Sequence, residues 1–146
     1  MSTDTTTTLR LSRVIAADRA RVFAAWTTAA DMERWAAPEM ASMLGVEVDL
    51  TVGGRYTIRM RGEEGQSYTA VGQYREIDPP RKVVYTWDWE EEANQVGETL
   101  VTVEFNDMNG STEVVLTHEL FPNAEAKGAH EQGWRSCLNR FEALFA

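Results

Sequence analysis

A chain of 146 residues with 43% hydrophobic and 25% charged content has the balance of a soluble globular domain, long enough to bury a real core. Fourteen basic residues against 23 acidic ones leave a net charge of −9, which disfavours general attraction to nucleic acid or an anionic membrane surface. Twelve of the basic residues are Arg and they are scattered, so no nucleic-acid tail is visible, and the lone Cys137 excludes an internal disulfide.

Residues 1–7 form a Thr-rich polar stretch without the apolar core of a signal peptide, expected to be a disordered tail. No apolar run reaches the length of a membrane span, so stable membrane insertion is not expected and a cytoplasmic location is the simplest reading. Residues 8–146 read as a single domain. Leu9, Leu11 and Val14 alternate with polar neighbours and predict a first strand over 8–15. Asp18 is placed to cap a helix carrying Val22, Phe23 and Trp26 on one face. Thr28-Ala29-Ala30-Asp31 has the spacing of a capping box and predicts a second short helix through Trp35, ending before Pro38.

From Met43 the period changes to two. Val46, Val48 and Leu50 alternate with Glu47 and Asp49; Tyr56, Ile58 and Met60 alternate with Arg55, Arg59 and Arg61. A three-residue loop Val52-Gly53-Gly54 would pair Thr51 with Arg55, set Glu47 opposite Arg59 and place Val48 opposite Ile58. The acidic and basic side chains would then face solvent, and Val48, Leu50, Tyr56 and Ile58 the core. A strand over about 67–77 follows, then the turn Asp78-Pro79-Pro80-Arg81 and a strand from Val83 to Trp89. Glu90 to Gly97 reads as an exposed acidic loop. Strands follow at Thr99–Phe105 and Thr112–Leu120, joined across Asn109-Gly110. From Asn123 to Ala146, Trp134, Cys137, Leu138, Phe141, Leu144 and Phe145 fall at helical spacing, predicting one long amphipathic helix. The architecture is therefore α+β: a curved antiparallel sheet of six or seven strands wrapped around the last helix.

The order strand, two helices, six strands, long helix resembles the START-like or SRPBCC superfamily with its helix-grip fold. Within it the chain resembles the branch related to the C-terminal domain of the activator of the ninety-kilodalton heat-shock protein's ATPase. The strings that carry the likeness are Val22-Phe23-Ala24-Ala25-Trp26 with Trp35, Asp49 to Tyr56 around Gly53-Gly54, Gly72-Gln73-Tyr74-Arg75-Glu76-Ile77, Val84-Tyr85-Thr86-Trp87, Leu116-Thr117-His118 and Gly133-Trp134. The resemblance implies a pocket between sheet and long helix, with the short helices at its mouth. Members bind sterols, lipids, polyketides or plant hormones, and a minority are cyclases. The eukaryotic co-chaperone carries a separate partner-binding N-terminal domain, for which no counterpart is expected here.

Local chemistry is sparse. His130-Glu131-Gln132-Gly133-Trp134 begins like a zinc-protease helix but has Trp where the second ligand belongs, and neither a P-loop nor GxGxxG is present. No metal or other cofactor is expected. His118 alternates with Leu116 and Leu120 and should point inward, either as a hydrogen-bonded structural histidine or as a ligand anchor or general acid or base. Fourteen aromatic residues can fill a core or line a cavity. The expected pocket wall is Trp26 and Trp35, then Tyr56, Ile58 and Met60, then Tyr74, Trp87 and His118, closed by Trp134 and Leu138. The reading is non-catalytic binding of a small hydrophobic molecule, aromatic or lipid-like. An aromatase/cyclase-type enzyme using a pocket His or Tyr is one alternative. An interaction module touching a chaperone is another, and homodimer contact stays open.

Overall fold

Seven strands pair in one antiparallel sheet in the computed structural model, which describes residues 7–146. The expected disordered tail falls almost wholly outside those residues. In chain order the elements are β1 (Leu9–Ile15), α1 (Arg19–Thr27), α2 (Ala29–Met32), β2 (Ser42–Val48), β3 (Arg55–Arg61), β4 (Ser67–Asp78), β5 (Lys82–Trp89), β6 (Thr99–Asp107), β7 (Thr112–Glu119) and α3 (Ala124–Ala143). The sheet order is β1-β7-β6-β5-β4-β3-β2, so every neighbour but the β1–β7 pair is consecutive in sequence. The sheet curls around α3 as a helix-grip α+β fold. No helix is long and apolar enough to cross a membrane among the described residues.

Burial along the strands follows the period of two that side-chain alternation imposes. In β3, Tyr56, Ile58 and Met60 are buried while Arg55, Arg59 and Arg61 are exposed. In β6, Thr99, Val101, Val103 and Phe105 are buried. α3 starts at Asn123, whose Oδ1 accepts from the Ala126 N–H at 2.8 Å. It buries Trp134, Cys137, Leu138 and Phe141 against the sheet. α1 is capped by Asp18, as its sequence predicts, through the Arg21 N–H at 3.0 Å.

Several details differ from the expectations. α2 stops at Met32, so Trp35 lies in the turns beyond it, and the Thr28 side chain makes no capping bond. Trp35 is nonetheless fully buried, fixed by its indole N–H donating to Ala25 O at 2.9 Å. The β2–β3 register is shifted by two residues, Val46 opposing Ile58 and Val48 opposing Tyr56. The cause is a third strand: Gly53 N–H donates to Tyr74 O, and Tyr74 N–H to Gly54 O. Gly53 and Gly54 therefore prolong the β3 side along β4 instead of turning a tight hairpin. Gly53 holds φ +89°, the left-handed conformation glycine adopts without a Cβ penalty. A shift by two keeps each residue on its face. Glu47 and Arg59 still form an exposed ion pair. Leu50, by contrast, falls past the end of β2 and is 38% exposed. In the acidic loop Glu91 is not simply solvated: it accepts from the amide and hydroxyl of Thr69, both at 2.7 Å.

Candidate functional site

Between the concave face and the N-terminal half of α3 lies a cavity of about 1010 Å³. Its floor is built where three strands present aromatic side chains on one face: Tyr56, Ile58 and Met60 from β3, Tyr74 from β4, and Tyr85, Trp87 and Trp89 from β5. Trp26, Met32 and Trp35 close one side. The helix contributes Ala126, Ala129, His130, Gly133, Trp134 and Cys137, which recur at intervals of three and four and so share a face. Three of these are Ala or Gly, which is why the space stays open there. Exposed residues of the β3–β4 loop (Glu63, Glu64, Gln66), of the β5–β6 connection (Ala93, Gln95) and of the segment after α2 (Met40) form the rim. That segment is tied to α3 by Glu39 N–H to Ser136 Oγ at 2.8 Å and by the Arg140 guanidinium to Ala37 O at 2.6 Å.

Eight of the ten residues expected at the pocket line this cavity: Trp26, Trp35, Tyr56, Ile58, Met60, Tyr74, Trp87 and Trp134. His118 and Leu138 do not; both are fully buried in the packed core behind it. His118 is committed on both ring nitrogens. Nδ1 accepts from the Trp134 indole N–H at 3.0 Å, so the proton sits on Nε2, which faces Thr99 Oγ1 at 2.7 Å. The Thr99 hydroxyl in turn donates to Trp87 O at 2.6 Å. This chain joins α3, β7, β6 and β5 with every group paired. Burial, and then the neighbouring His130, hold the His118 pKa well below the usual imidazole value. It is a structural histidine.

His130 does reach the cavity, also as a neutral ring: Nε2 accepts from the Trp89 indole at 3.0 Å, so Nδ1–H donates to Ala126 O at 2.8 Å. Burial lowers its pKa against the opposing pull of the Ala126 carbonyl and Asp88. The cavity phenols are pushed the other way. Burial raises the pKa of Tyr56, Tyr74 and Tyr85, so all three keep their protons at neutral pH. Cys137 is an inert buried thiol, its pKa pushed up to about 12 by burial against a weaker opposing effect of Arg140.

Tyr85 is the clearest residue missing from the expected wall. It alternates with Val83 and Trp87 on the inward face of β5, so its period alone carried the signal. Its hydroxyl oxygen accepts from the Trp26 indole at 3.1 Å. The Tyr56 hydroxyl donates to Thr86 O at 2.6 Å, inside an interruption of the β4–β5 ladder between the Val71–Asp88 and Tyr74–Tyr85 pairs. Gly72 makes this approach fit, since a Cβ there would stand 1.9 Å from Thr86 O and 2.6 Å from the Tyr56 hydroxyl. No group of three or more His, Cys, Asp or Glu side chains placed to hold a metal occurs among the described residues.

A family model described as "Activator of Hsp90 ATPase homolog 1-like protein" matches residues 16–146. The chain belongs to that family. It is thereby a member of the START-like superfamily in its heat-shock ATPase activator branch, as the motifs above suggested. A crystal structure of a Chromobacterium violaceum protein is similar at TM-score 0.87 and 26% identity, over 95% of this chain and 96% of that one. The AHSA1 protein from Silicibacter pomeroyi is similar at TM-score 0.81 and 29% identity, over 93% and 95%. A Nitrosomonas europaea protein shares the fold at TM-score 0.81 and 20% identity, over 97% and 96%. No curated protein matches the sequence.

Proposed function

We propose that this protein binds a small hydrophobic molecule, aromatic or lipid-like, between the sheet and the N-terminal half of α3, without turning it over. The observation that carries the reading is the cavity itself. At about 1010 Å³ it is large enough for a drug-sized ligand, and its walls are mainly Trp, Tyr, Met, Ile and Ala with a few polar tips. The family's fold is compatible with such use. A catalytic reading has little to stand on: His118 lies behind the wall with both nitrogens engaged, and the buried phenols are held protonated, unsuited to act as bases. Native mass spectrometry of freshly purified protein should reveal a co-purifying small molecule. Titration with flat apolar compounds and fatty acids, followed by tryptophan emission and amide shifts, should give saturable changes at Tyr56, Tyr74, Trp87 and Trp134. Turnover of a bound compound would replace this reading with an enzymatic one, and no saturable binding by any compound would end it.

A further inference from the structure

Three tyrosines meet on the concave face, and their hydroxyls have three different fates. The Tyr56 ring lies 5.7 Å from Tyr74 and 5.2 Å from Tyr85, and Tyr74 and Tyr85 stand as cross-strand partners 5.9 Å apart. The Tyr56 hydroxyl donates to Thr86 O, and the Tyr85 oxygen accepts from the Trp26 indole. The Tyr74 hydroxyl bonds to no described residue. It is not sealed away either: the Trp87 indole N–H is the only side-chain polar group both unpartnered and closed off from solvent among the described residues. Tyr74 as a whole is 2% exposed and lines the cavity, so the little surface it shows includes the hydroxyl and opens into that space. A phenylalanine would pack there without burying a polar group, and buried polar groups left unpaired are unfavourable and uncommon. The hydroxyl is explained by something that enters the cavity.

Position and charge say what enters. Tyr74 lies eight residues along β4 from Gln66 at the rim, roughly 26 Å of extended strand. Met60, Ile58 and Tyr56 of β3, opposite Tyr68, Ala70 and Gly72 of β4, make the mainly apolar wall between them. A ligand that reaches Tyr74 from that loop buries an apolar body along this wall and brings a polar atom to its far end. Burial keeps the phenol protonated at neutral pH, so the hydroxyl donates, and the matching atom is an oxygen that accepts. No Lys or Arg lines the cavity, its histidine is held neutral by bonds at both nitrogens, and the charged residues of its wall and rim are Glu63, Glu64 and Glu125. A carboxylate at this depth would be desolvated with no cation to meet it. We infer that the Tyr74 hydroxyl is the polar anchor of the cavity, donating to a carbonyl-type oxygen at one end of an uncharged, otherwise apolar ligand, and that carboxylates, fatty acids included, are rejected. This rests on the binding function proposed above and narrows it.

Three matched probes test it: 2-acetylnaphthalene, 2-isopropenylnaphthalene, in which a methylene group replaces the carbonyl oxygen, and 2-naphthoate. Each is titrated by calorimetry into the wild type and into Tyr74→Phe, which removes the hydroxyl and keeps the ring. The ratio of ketone to alkene affinity should fall about 3- to 10-fold in the variant, the loss of one neutral hydrogen bond. That ratio is read within each protein, so a change in binding common to both probes cancels. The infrared carbonyl band of the isotope-labelled ketone should lie lower when bound to the wild type than in hexane, and return toward the hexane position in the variant. In the wild type, proton–proton cross-relaxation should connect the acetyl methyl to the Tyr74 ring, which tests the anchor even if the variant folds poorly. The naphthoate should bind at least about 10-fold more weakly than the ketone. An unchanged ratio in the variant, a hexane-like carbonyl band or no contact with the Tyr74 ring in the wild type, or a naphthoate as tight as the ketone would each overturn the inference while leaving binding intact. Absence of saturable binding by all three would overturn the binding function itself.

Discussion

The two halves of α3 face the same sheet and meet opposite conditions. Toward the C-terminus, Leu138 and Phe141 are fully buried, and Phe141 packs edge-on against Trp26 and Trp35 at 5.0 and 4.9 Å. Toward the N-terminus, Ala126, Ala129 and Gly133 leave the sheet uncovered and the cavity opens. Trp134 stands at the boundary, stacked on Trp26 at 6.2 Å and tilted against Trp87 at 5.2 Å. On the closed side the chain Trp134, His118, Thr99 and Trp87 O has no unpaired member. The indole N–H of that same Trp87 is sealed away and has no partner. One side is built for stability and the other leaves room.

Trp134→Ala should erase the boundary and have the largest effect. It removes a buried indole and orphans His118 Nδ1, with an expected loss of about 3–5 kcal/mol by chemical denaturation. A loss below about 1 kcal/mol would mean that the closed side does not depend on it. Gly72→Ala attacks the floor. The new Cβ would collide with a backbone carbonyl that cannot swing away, and the Tyr56–Thr86 bond would break. A cost of about 1–3 kcal/mol is expected, together with lost ligand binding. Unchanged stability would show that β4 can shift to accommodate a methyl group.

His118→Phe tests the closed side through its polar chain. It strands the Trp134 N–H in the core, at about 1–3 kcal/mol, and should leave the cavity's ligand affinity nearly unchanged because His118 does not line it. The pH dependence follows from the same chain. His118 is buried neutral with its pKa lowered, so below about pH 6.5 the unfolded chain binds a proton that the native protein refuses. Stability is then fully present above that pH and falls as pH drops toward the native value, by at most about 1.4 kcal/mol per pH unit for one group. Denaturation midpoints between pH 7.5 and 5.5 should decline in the wild type and decline less in His118→Phe, His130 supplying the remainder. Parallel curves for the two proteins would place that proton linkage elsewhere.

The closed half was the legible half. Trp134, Cys137, Leu138 and Phe141 announce themselves by spacing, and so do the inward faces of β3, β5 and β6, because burial repeats with the period of the element. What periodicity could not show was contact with a third element. Gly53-Gly54 read as a hairpin turn because only β2 and β3 were in view, whereas β4 captures both glycines through Tyr74. Trp35 read as helical from local spacing, but its place is fixed by Ala25 O across the chain. His118 pointed inward as expected, yet which side of the wall it met depends on Thr99 and Trp134, remote in sequence. The open half had a signal in Ala126, Ala129 and Gly133, small residues at helical spacing beside the large ones. The rim loops had none, since exposed polar residues carry no period.

The smallest expected effect on stability is also the sharpest test of the division. Trp87→Phe trims a buried side chain of the cavity wall, and the smaller ring loses packing. Here the part removed includes an N–H without an acceptor, and its removal relieves a desolvation penalty of about 1–3 kcal/mol. The backbone carbonyl of Trp87, which accepts from Thr99, is untouched, so the closed side keeps its chain of hydrogen bonds. The two contributions oppose each other, and the net loss should stay below about 1.5 kcal/mol, well under that of Trp134→Ala. Thermal and urea unfolding of the two variants side by side make the comparison. If Trp87→Phe proves as damaging as Trp134→Ala, the Trp87 indole is part of the closed core after all, and the line between the halves of α3 must be drawn nearer its N-terminus.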